Sequence, residues 1–171
     1  MWDVVCVIIV LYVIQCIHNK QEYVKSNHLF YNVDNICPEL KKAITITDNL
    51  VDVKYVSLYA DSEWNINNCE KYPSTYEFLK SINNLSEATI CKYDKNTKTD
   101  SQILDNQNLF RCHYSLQNYE NFFICVYSDD KQKIKPYKLN EWMIFDSSQH
   151  YYVKNDSDID GILLIVDIKK E

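Results

Sequence analysis

The sequence predicts a mainly β fold, namely a single-domain, disulfide-bonded antiparallel β-sandwich with one short helix. Short runs rich in β-branched and aromatic residues are separated by turn signals about every 8–14 residues, which is typical of sandwich strands. Only one segment carries a helical pattern. Aromatic residues make up 13% of the 171 residues and include fourteen Tyr, which argues against a disordered chain.

Eight candidate strands follow one another along the chain. Residues 43–47 alternate Ile and Thr, and residues 51–59 alternate apolar and polar residues over their first half. The other six candidates are residues 87–93, 108–116, 121–128, 141–146, 151–154 and 162–168. The helix is predicted over residues 75–82, where Ser74 and Glu77 form a capping box ahead of an apolar face.

The N-terminal segment predicts a secretory signal peptide. Residues 4–14 form an unbroken apolar run, which is short for a membrane span of roughly 20 residues, and a polar stretch follows. Asp3 stands where a Lys or Arg is expected, and a buried strand or core helix is the alternative. We therefore expect a signal peptide at residues 1–16 and a single domain at residues 17–171, located in the endoplasmic reticulum (ER) lumen or secreted, with no membrane span after cleavage.

Cysteines and glycosylation sequons agree with an oxidising compartment. The five cysteines beyond residue 16 predict two disulfides and one odd thiol that could link a dimer; they are Cys37, Cys69, Cys91, Cys112 and Cys125. In the cytosol they would instead be reduced and buried. Asn84 and Asn155 begin Asn-x-Ser sequons and are the candidate glycosylation sites.

Residues 117–120 predict a hairpin loop between the strands at residues 108–116 and 121–128. Cys112 would then lie opposite Cys125, where a direct bridge is possible but often strained. We expect each of these two thiols to bridge to another strand, and a direct bridge is the alternative.

The rarity of glycine excludes several kinds of catalytic site. Gly161 is the only Gly of the chain, so a P-loop, a G-x-G-x-x-G fingerprint and a G-x-S-x-G elbow are absent. His113 and His150 lie in or beside predicted strands, where a satisfied structural role is expected. We therefore expect no enzymatic activity, no catalytic residue, no metal and no cofactor. Turns that need a positive φ must use Asn or Asp instead of Gly.

One acidic segment has the spacing of a calcium loop. Residues 156–161 read Asp-Ser-Asp-Ile-Asp-Gly, and Asp167 occupies the twelfth position. The flanking segments are strand-like, whereas an EF-hand needs helices. We expect an acidic turn before the last strand, with a secreted calcium-dependent factor as an alternative.

The charge balance bears on the partners of the protein. The formal net charge is −6, and Arg111 is the only Arg among 18 basic residues. This balance gives no support to nucleic-acid binding and is compatible with a basic protein partner.

Short pieces of the second half occur in an order that resembles a known group. They are Cys91-Lys92-Tyr93, Cys112-His113-Tyr114, Ile144-Phe145-Asp146 and His150-Tyr151-Tyr152-Val153-Lys154. The order resembles small poxviral proteins of the secretory pathway that are related to the poxvirus immune-evasion (PIE) domain. The resemblance implies a non-enzymatic virulence protein that binds a host immune protein such as a chemokine, a cytokine or an MHC-type molecule. The alternative is a membrane-anchored viral surface glycoprotein that retains residues 4–14.

Overall fold

Two antiparallel sheets and one layer of short helices make up the fold. The computed structural model describes residues 29–50, 53–104, 106–117, 120–128 and 131–170. The predicted signal peptide lies outside these residues. Within them, no helix is long and apolar enough to cross a membrane.

The helices lie in the first half of the described chain. They are α1 (Val33–Ile36), a 3₁₀ helix (Pro38–Thr45), α2 (Ile66–Cys69) and α3 (Pro73–Leu79). Pro38 and Pro73 stand in the first turns of their helices, where the missing N–H of proline costs no hydrogen bond.

The strands form two sheets with antiparallel pairing throughout. The six-stranded sheet has the order β2-β1-β3-β10-β5-β8, and the four-stranded sheet has the order β4-β9-β6-β7. Their bounds are β1 (Tyr55–Ala60), β2 (Glu63–Trp64), β3 (Leu85–Tyr93), β4 (Thr97–Lys98), β5 (Leu109–Gln117), β6 (Phe122–Ser128), β7 (Lys131–Pro136), β8 (Trp142–Asp146), β9 (His150–Asn155) and β10 (Gly161–Lys169).

The six-stranded sheet is the middle layer. Its first face packs against the helices through a core that includes Leu40, Leu79, Ile90 and Leu164. Its second face packs against the four-stranded sheet through Phe122, Ile124, Val153, Phe145, Leu163 and other apolar side chains. Burial on both faces explains why β10 is a nearly continuous apolar run, since both sets of alternating side chains leave water.

The mainly β, antiparallel prediction is confirmed, and six of the predicted strands match observed ones. Residues 43–47 were predicted as a strand, and this prediction is wrong, because residues up to Thr45 belong to the 3₁₀ helix. The predicted strand at 51–59 is observed from Tyr55, and residues 51–52 lie outside the described residues.

The predicted helix exists but is capped differently. Helix α3 begins at Pro73, so Ser74 lies inside it and the predicted capping box is absent. Asp48 accepts hydrogen bonds from the backbone N–H groups of Ser74 (3.0 Å) and Thr75 (2.8 Å) instead. A carboxylate at this end also suits the helix dipole.

The predicted hairpin between residues 108–116 and 121–128 is wrong. Strand β5 pairs with β10 and β8, whereas β6 pairs with β9 and β7 in the other sheet. The chain therefore crosses from one layer to the other at this point, and Cys112 is not the cross-strand neighbour of Cys125.

The disulfide-bonded part of the predicted fold is not shown. All five predicted disulfide candidates are free thiols; they are Cys37, Cys69, Cys91, Cys112 and Cys125. The layers keep several of them apart, since Cys112 lies in the helix-side core and Cys125 belongs to the four-stranded sheet. Pairing of these residues under oxidising conditions stays a prediction.

Candidate functional site

A group of polar side chains lies between the two sheets, where an apolar core would otherwise be continuous. Strand β5 supplies Arg111 and His113 to this space because alternate residues of a strand point to one face. Strand β10 supplies Asp167, and β9 supplies Tyr151. Tyr137, which follows β7, and Gln102 complete the group. We call it the inter-sheet cluster, and its members are Gln102, Arg111, His113, Tyr137, Tyr151 and Asp167.

His113 is the most deeply placed member of the inter-sheet cluster. Its side chain is completely buried, and its Nδ1 atom lies 2.7 Å from the hydroxyl of Tyr137. The rings of Phe145 and Tyr151 meet the imidazole edge-on at 5.2 and 5.6 Å between centroids. Among the described residues, the Nε2 atom has no hydrogen-bond partner.

The surroundings of His113 keep its imidazole neutral. Burial, and secondly the positive charge of Arg111, hold the pKa of His113 well below its usual range. The hydrogen bond between Nδ1 and the Tyr137 hydroxyl fixes the orientation of the ring. Nε2, the unpaired nitrogen of this neutral imidazole, can donate or accept a hydrogen bond according to the tautomer.

Arg111 and Asp167 form a two-pronged ion pair beside the imidazole. The Nε atom of Arg111 donates to Oδ1 of Asp167 at 2.9 Å, and Nη2 donates to Oδ2 at 2.6 Å. The Asp167 side chain is 2% exposed and that of Arg111 is 12% exposed. Burial disfavours the guanidinium charge, but the hydrogen bonds and charge of Asp167 outweigh it and raise the pKa of Arg111.

Tyr151 connects the ion pair to the surface of the molecule. Its hydroxyl accepts a hydrogen bond from Nη1 of Arg111 at 2.6 Å and donates one to Oε1 of Gln102 at 2.7 Å. Cys91 lies nearby on β3, and burial raises its thiol pKa to about 11, partly offset by Arg111. The thiol is therefore protonated near neutral pH and is a poor nucleophile.

The two histidines singled out in the sequence are separated by a sheet. His150 lies on the exposed face of the four-stranded sheet, where its ring stacks on Tyr127 with 5.4 Å between centroids. His113 faces the interior. The expectation of a satisfied structural role is met at Nδ1 of His113 but not at Nε2 within the described residues.

The two candidate glycosylation sites differ in access. Asn84 is partly exposed just before β3, whereas Asn155 is 1% exposed. The side-chain nitrogen of Asn155 donates to the backbone oxygens of Tyr93 (3.0 Å) and Ile159 (2.9 Å). A glycan would replace one of the two N–H groups that make these hydrogen bonds, so glycosylation of Asn155 is incompatible with the folded contacts. Glycosylation at both sites stays a prediction.

The acidic segment at residues 156–161 forms a turn between β9 and β10. The carboxylate of Asp160 bonds to the Lys95 backbone N–H at 2.9 Å and to Nζ of Lys92 at 3.2 Å. No group of three or more His, Cys, Asp or Glu in the described part of the chain could hold a metal ion. The observed turn agrees with the expectation of an acidic turn rather than a helix-flanked calcium loop.

Most of the inter-sheet cluster was not predictable from the sequence. Arg111, Asp167, Tyr137 and Tyr151 come from four separate segments, and their contact depends on how the strands are ordered. One signal was available, because the only Arg of the chain stands two residues before His113 in a strand pattern. That spacing places both side chains on one face.

A comparison with known protein families identifies the family of this chain. A sequence model of the family described as aspartyl/asparaginyl beta-hydroxylase matches residues 28–171, which include every described residue of the inter-sheet cluster. No curated protein gives a significant match.

Several solved structures are similar in part. A 2OG-Fe(II) oxygenase-family protein from Burkholderia pseudomallei has a TM-score of 0.47 at 7% identity, covering 62% of this chain and 53% of that one. A cupin protein from Bacteroides fragilis has a TM-score of 0.45 at 10% identity, covering 72% and 82%. A predicted oxalate decarboxylase from Thermotoga maritima has a TM-score of 0.39 at 15% identity, covering 50% and 68%.

The family match corrects several sequence-based expectations. The resemblance to poxviral PIE-domain proteins is wrong, and so is the function that it implied, a non-enzymatic viral virulence protein that binds an immune protein. The expectation of no enzymatic activity is also wrong, since the family is described by an enzymatic reaction. A secretory-pathway location is compatible with the family. A host-protein partner and a dimer through the odd thiol stay predictions.

The match spans far more than half of the chain and both sheets of the fold. This chain therefore belongs to the aspartyl/asparaginyl beta-hydroxylase family.

Proposed function

We propose that the protein acts on aspartyl or asparaginyl side chains of a polypeptide, with the inter-sheet cluster as the centre of its active site. The substrate class is the one that the family description names. The assignment of the site rests on His113. Its imidazole is fully buried, and its Nε2 atom has no hydrogen-bond partner among the described residues. Unpaired buried polar atoms are costly, so such an atom is a marker of function.

The cluster offers groups that suit both substrate side chains. The named bonds of Arg111 use three of its five N–H groups, so its remaining donors can meet a carboxylate or an amide oxygen. Asp167 balances the charge of Arg111, which allows a neutral Asn side chain as well as a charged Asp. His113 supplies a neutral nitrogen close to this pair.

The described residues do not complete a metal site. Non-haem iron oxygenases use two His and one carboxylate on one side of the metal. Here His113 faces the interior alone, His150 lies on the opposite face of the other sheet, and Asp167 is engaged by Arg111. We therefore assign no metal-dependent step to these residues and confine their roles to binding and orienting the substrate.

The test is a peptide-binding assay with the purified protein. Isothermal titration calorimetry measures the binding of peptides that contain a single Asp or Asn and of the same peptides with Ala at that position. We expect saturable binding that requires the Asp or Asn, and about 10-fold weaker binding by His113→Ala, in line with the loss of one hydrogen bond to the substrate. Arg111→Lys should also weaken binding, because Lys cannot reproduce the two-pronged geometry.

Tyr55→Ala is the matched control, since Tyr55 is 71% exposed on β1 and lies outside the inter-sheet cluster. Its affinity for the peptides should equal that of the wild type. Circular dichroism would show that each variant is folded. No saturable binding of any Asp or Asn peptide by the wild type, or unchanged affinity in a folded His113→Ala variant, would refute the proposal.

We propose the ER lumen as the location of this activity. The proposal is supported by the apolar run at residues 4–14, by the sequon at Asn84 and by the family's compatibility with the secretory pathway. When the chain is expressed in animal cells, we expect a mature N-terminus near residue 17 and a glycan at Asn84 that is removed by endoglycosidase H. An intact N-terminus, or a glycan resistant to the enzyme, would argue against ER residence; Asn84→Gln is the control for the glycan.

A further inference from the structure

The outer face of the four-stranded sheet carries a groove that is separate from the inter-sheet cluster. Tyr152 and Tyr127 point to this face, because each follows a residue that points into the core, Tyr151 and Val126. The groove has a volume of about 370 Å³, within the roughly 300–1,000 Å³ of small-molecule sites. It is lined by Lys98, Thr99, Asp100, Ser101, Tyr127, Gln132 and Tyr152.

Aromatic rings form one wall of this outer groove and are held in place by their neighbours. The Tyr127 and Tyr152 centroids are 6.5 Å apart with an interplanar angle of 58°. The ring of His150 stacks on Tyr127 at 17°, and the Nζ atom of Lys98 lies 4.1 Å from the Tyr152 centroid. These contacts orient both tyrosines before any ligand binds, which lowers the entropy cost of binding.

Hydroxyl, amide and carboxylate groups form the rest of the wall. The Ser101 and Tyr127 hydroxyl oxygens are 2.5 Å apart, and Thr99 accepts a hydrogen bond from the Val153 backbone N–H at 3.0 Å. Gln132 lies at the rim and donates to the Cys125 thiol at 3.2 Å. Lys98 and Asp100 carry opposite charges, so the lining has no formal net charge.

We infer that the outer groove binds a neutral saccharide. A sugar ring presents C–H groups on its faces, which pack on aromatic rings, and hydroxyls at its edges, which exchange hydrogen bonds with Ser, Thr, Gln and Asp side chains. The lining supplies both kinds of group in one concave site. Single-stranded nucleic acid also stacks on aromatic rings, but it needs a basic track along the phosphates. Here the lining has one Lys opposed by one Asp, on a chain of net charge −6.

The outer groove and the inter-sheet cluster lie on opposite faces of the four-stranded sheet, so saccharide binding does not depend on the proposed function. Cross-strand aromatic pairs also stabilise sheets without binding anything, so partly exposed tyrosines alone would not identify a site. Tyr127 and Tyr152 differ from such pairs because they line a concave surface together with five polar side chains.

The test is a titration followed by nuclear magnetic resonance with ¹³C-labelled tyrosine. The probes are four neutral tetrasaccharides built from glucose, mannose, xylose and N-acetylglucosamine. We expect at least one probe to shift the Tyr127 and Tyr152 signals saturably while the Tyr55 signal stays unchanged. Tyr127→Ala and Tyr152→Ala should each weaken binding about 10-fold, in line with the loss of one stacking contact.

Two further variants keep the test decisive if a tyrosine variant fails to fold. Ser101→Ala and Gln132→Ala alter exposed polar groups and should each weaken binding by a few-fold, whereas Tyr55→Ala should leave it unchanged. Binding by an oligothymidylate or an acidic peptide is measured in parallel. No saturable shift with any of the four saccharides, equal affinity in the groove variants and the wild type, or tighter binding of either competitor class would overturn the inference.

Discussion

The choice of Arg at position 111 shows how one residue can determine a site. The Asp167 carboxylate is 2% exposed and receives two parallel N–H bonds from one planar group. A lysine ammonium carries a point charge on a flexible stem and cannot supply that geometry. In a chain with 18 basic residues, the single Arg is thus found where only Arg fits. Composition alone marked this position, but its partner was not visible in the sequence.

The buried imidazole of His113 makes stability depend on pH. Its folded pKa lies well below the unfolded value of about 6.5, so the unfolded chain binds a proton first as the pH falls. The contribution of His113 to the free energy of unfolding therefore has its full value above about pH 6.5. Below that pH it decreases, by at most about 1.4 kcal/mol per pH unit. Urea unfolding between about pH 5 and 7.5 should show this slope in the wild type, and His113→Phe should reduce it.

His150→Gln is the control for this experiment, because His150 is exposed on the other face of the four-stranded sheet. It should keep the slope of the wild type. An equal slope in the wild type and His113→Phe would show that other groups cause the pH dependence.

At the scale of the elements, alternation within strands was predictable and the pairing of strands was not. The strand patterns at residues 108–116 and 162–168 agree with β5 and β10 to within about two residues. The prediction of a hairpin between β5 and β6 is wrong because a short polar connection allows two outcomes. The two strands can pair with each other, or the chain can cross from one sheet to the other. The loop sequence does not contain the information that decides this. Packing of both sheets around Phe122 and Leu163 decides it.

The turns follow the chemistry predicted for a glycine-poor chain. Among the described residues, positive φ angles occur at Asp61, Ser62, Asn96, Asn121 and Asn140, but not at Gly161. Asn and Asp thus take four of these five left-handed positions, as expected from their local hydrogen bonding. Gly161 is required for a different reason, which is space. A Cβ atom there would lie 2.5 Å from Cε1 of Phe122.

Gly161→Ala should therefore destabilise the fold by overpacking. Phe122 is 1% exposed, so its ring has little room to move, and we expect a loss of about 1–3 kcal/mol in the free energy of unfolding. Urea denaturation measures the loss. Because the obstacle is one ring, the double variant Gly161→Ala with Phe122→Leu should show a coupling of about 0.5–3 kcal/mol toward rescue.

The matched comparison is Phe122→Leu alone, which separates the cavity that it creates from relief of the clash. Additive effects of the two substitutions would show that the cost at position 161 comes from the backbone instead.

At the scale of the whole molecule, the sequence indicated a two-layer sandwich and the structure has three layers. The sequence of β10 contained the signal for the third layer, because it is apolar at nearly every position. In the structure, residues 161–168 are buried on both faces of the strand. A sheet that faces water on one side shows apolar and polar alternation, and this strand does not. The second cover is the helical layer, joined to the sheet edge by a hydrogen bond of 2.9 Å from Nε1 of Trp142 to the Leu40 carbonyl.

The inter-sheet cluster is likewise a product of the whole fold. His113, Tyr137 and Tyr151 come together only when β5, β9 and the segment after β7 are assembled in two facing sheets. Periodicity places each side chain on a face, but only the complete topology brings the faces together. No contiguous stretch of sequence contains the inter-sheet cluster, and the sequence-based expectation of binding without catalysis was wrong.

The position of β10 in the middle of its sheet has a consequence for how the protein is made. Residues 161–169 pair with β3 on one side and with β5 on the other, across sequence separations of about 45 to 83 residues. During synthesis, β3 and β5 emerge first and wait beside an open gap until this strand leaves the ribosome. The nascent chain exposes one unpaired edge of β3 and one of β5 throughout that interval, so we expect it to be prone to aggregation until residue 169 has left the ribosome.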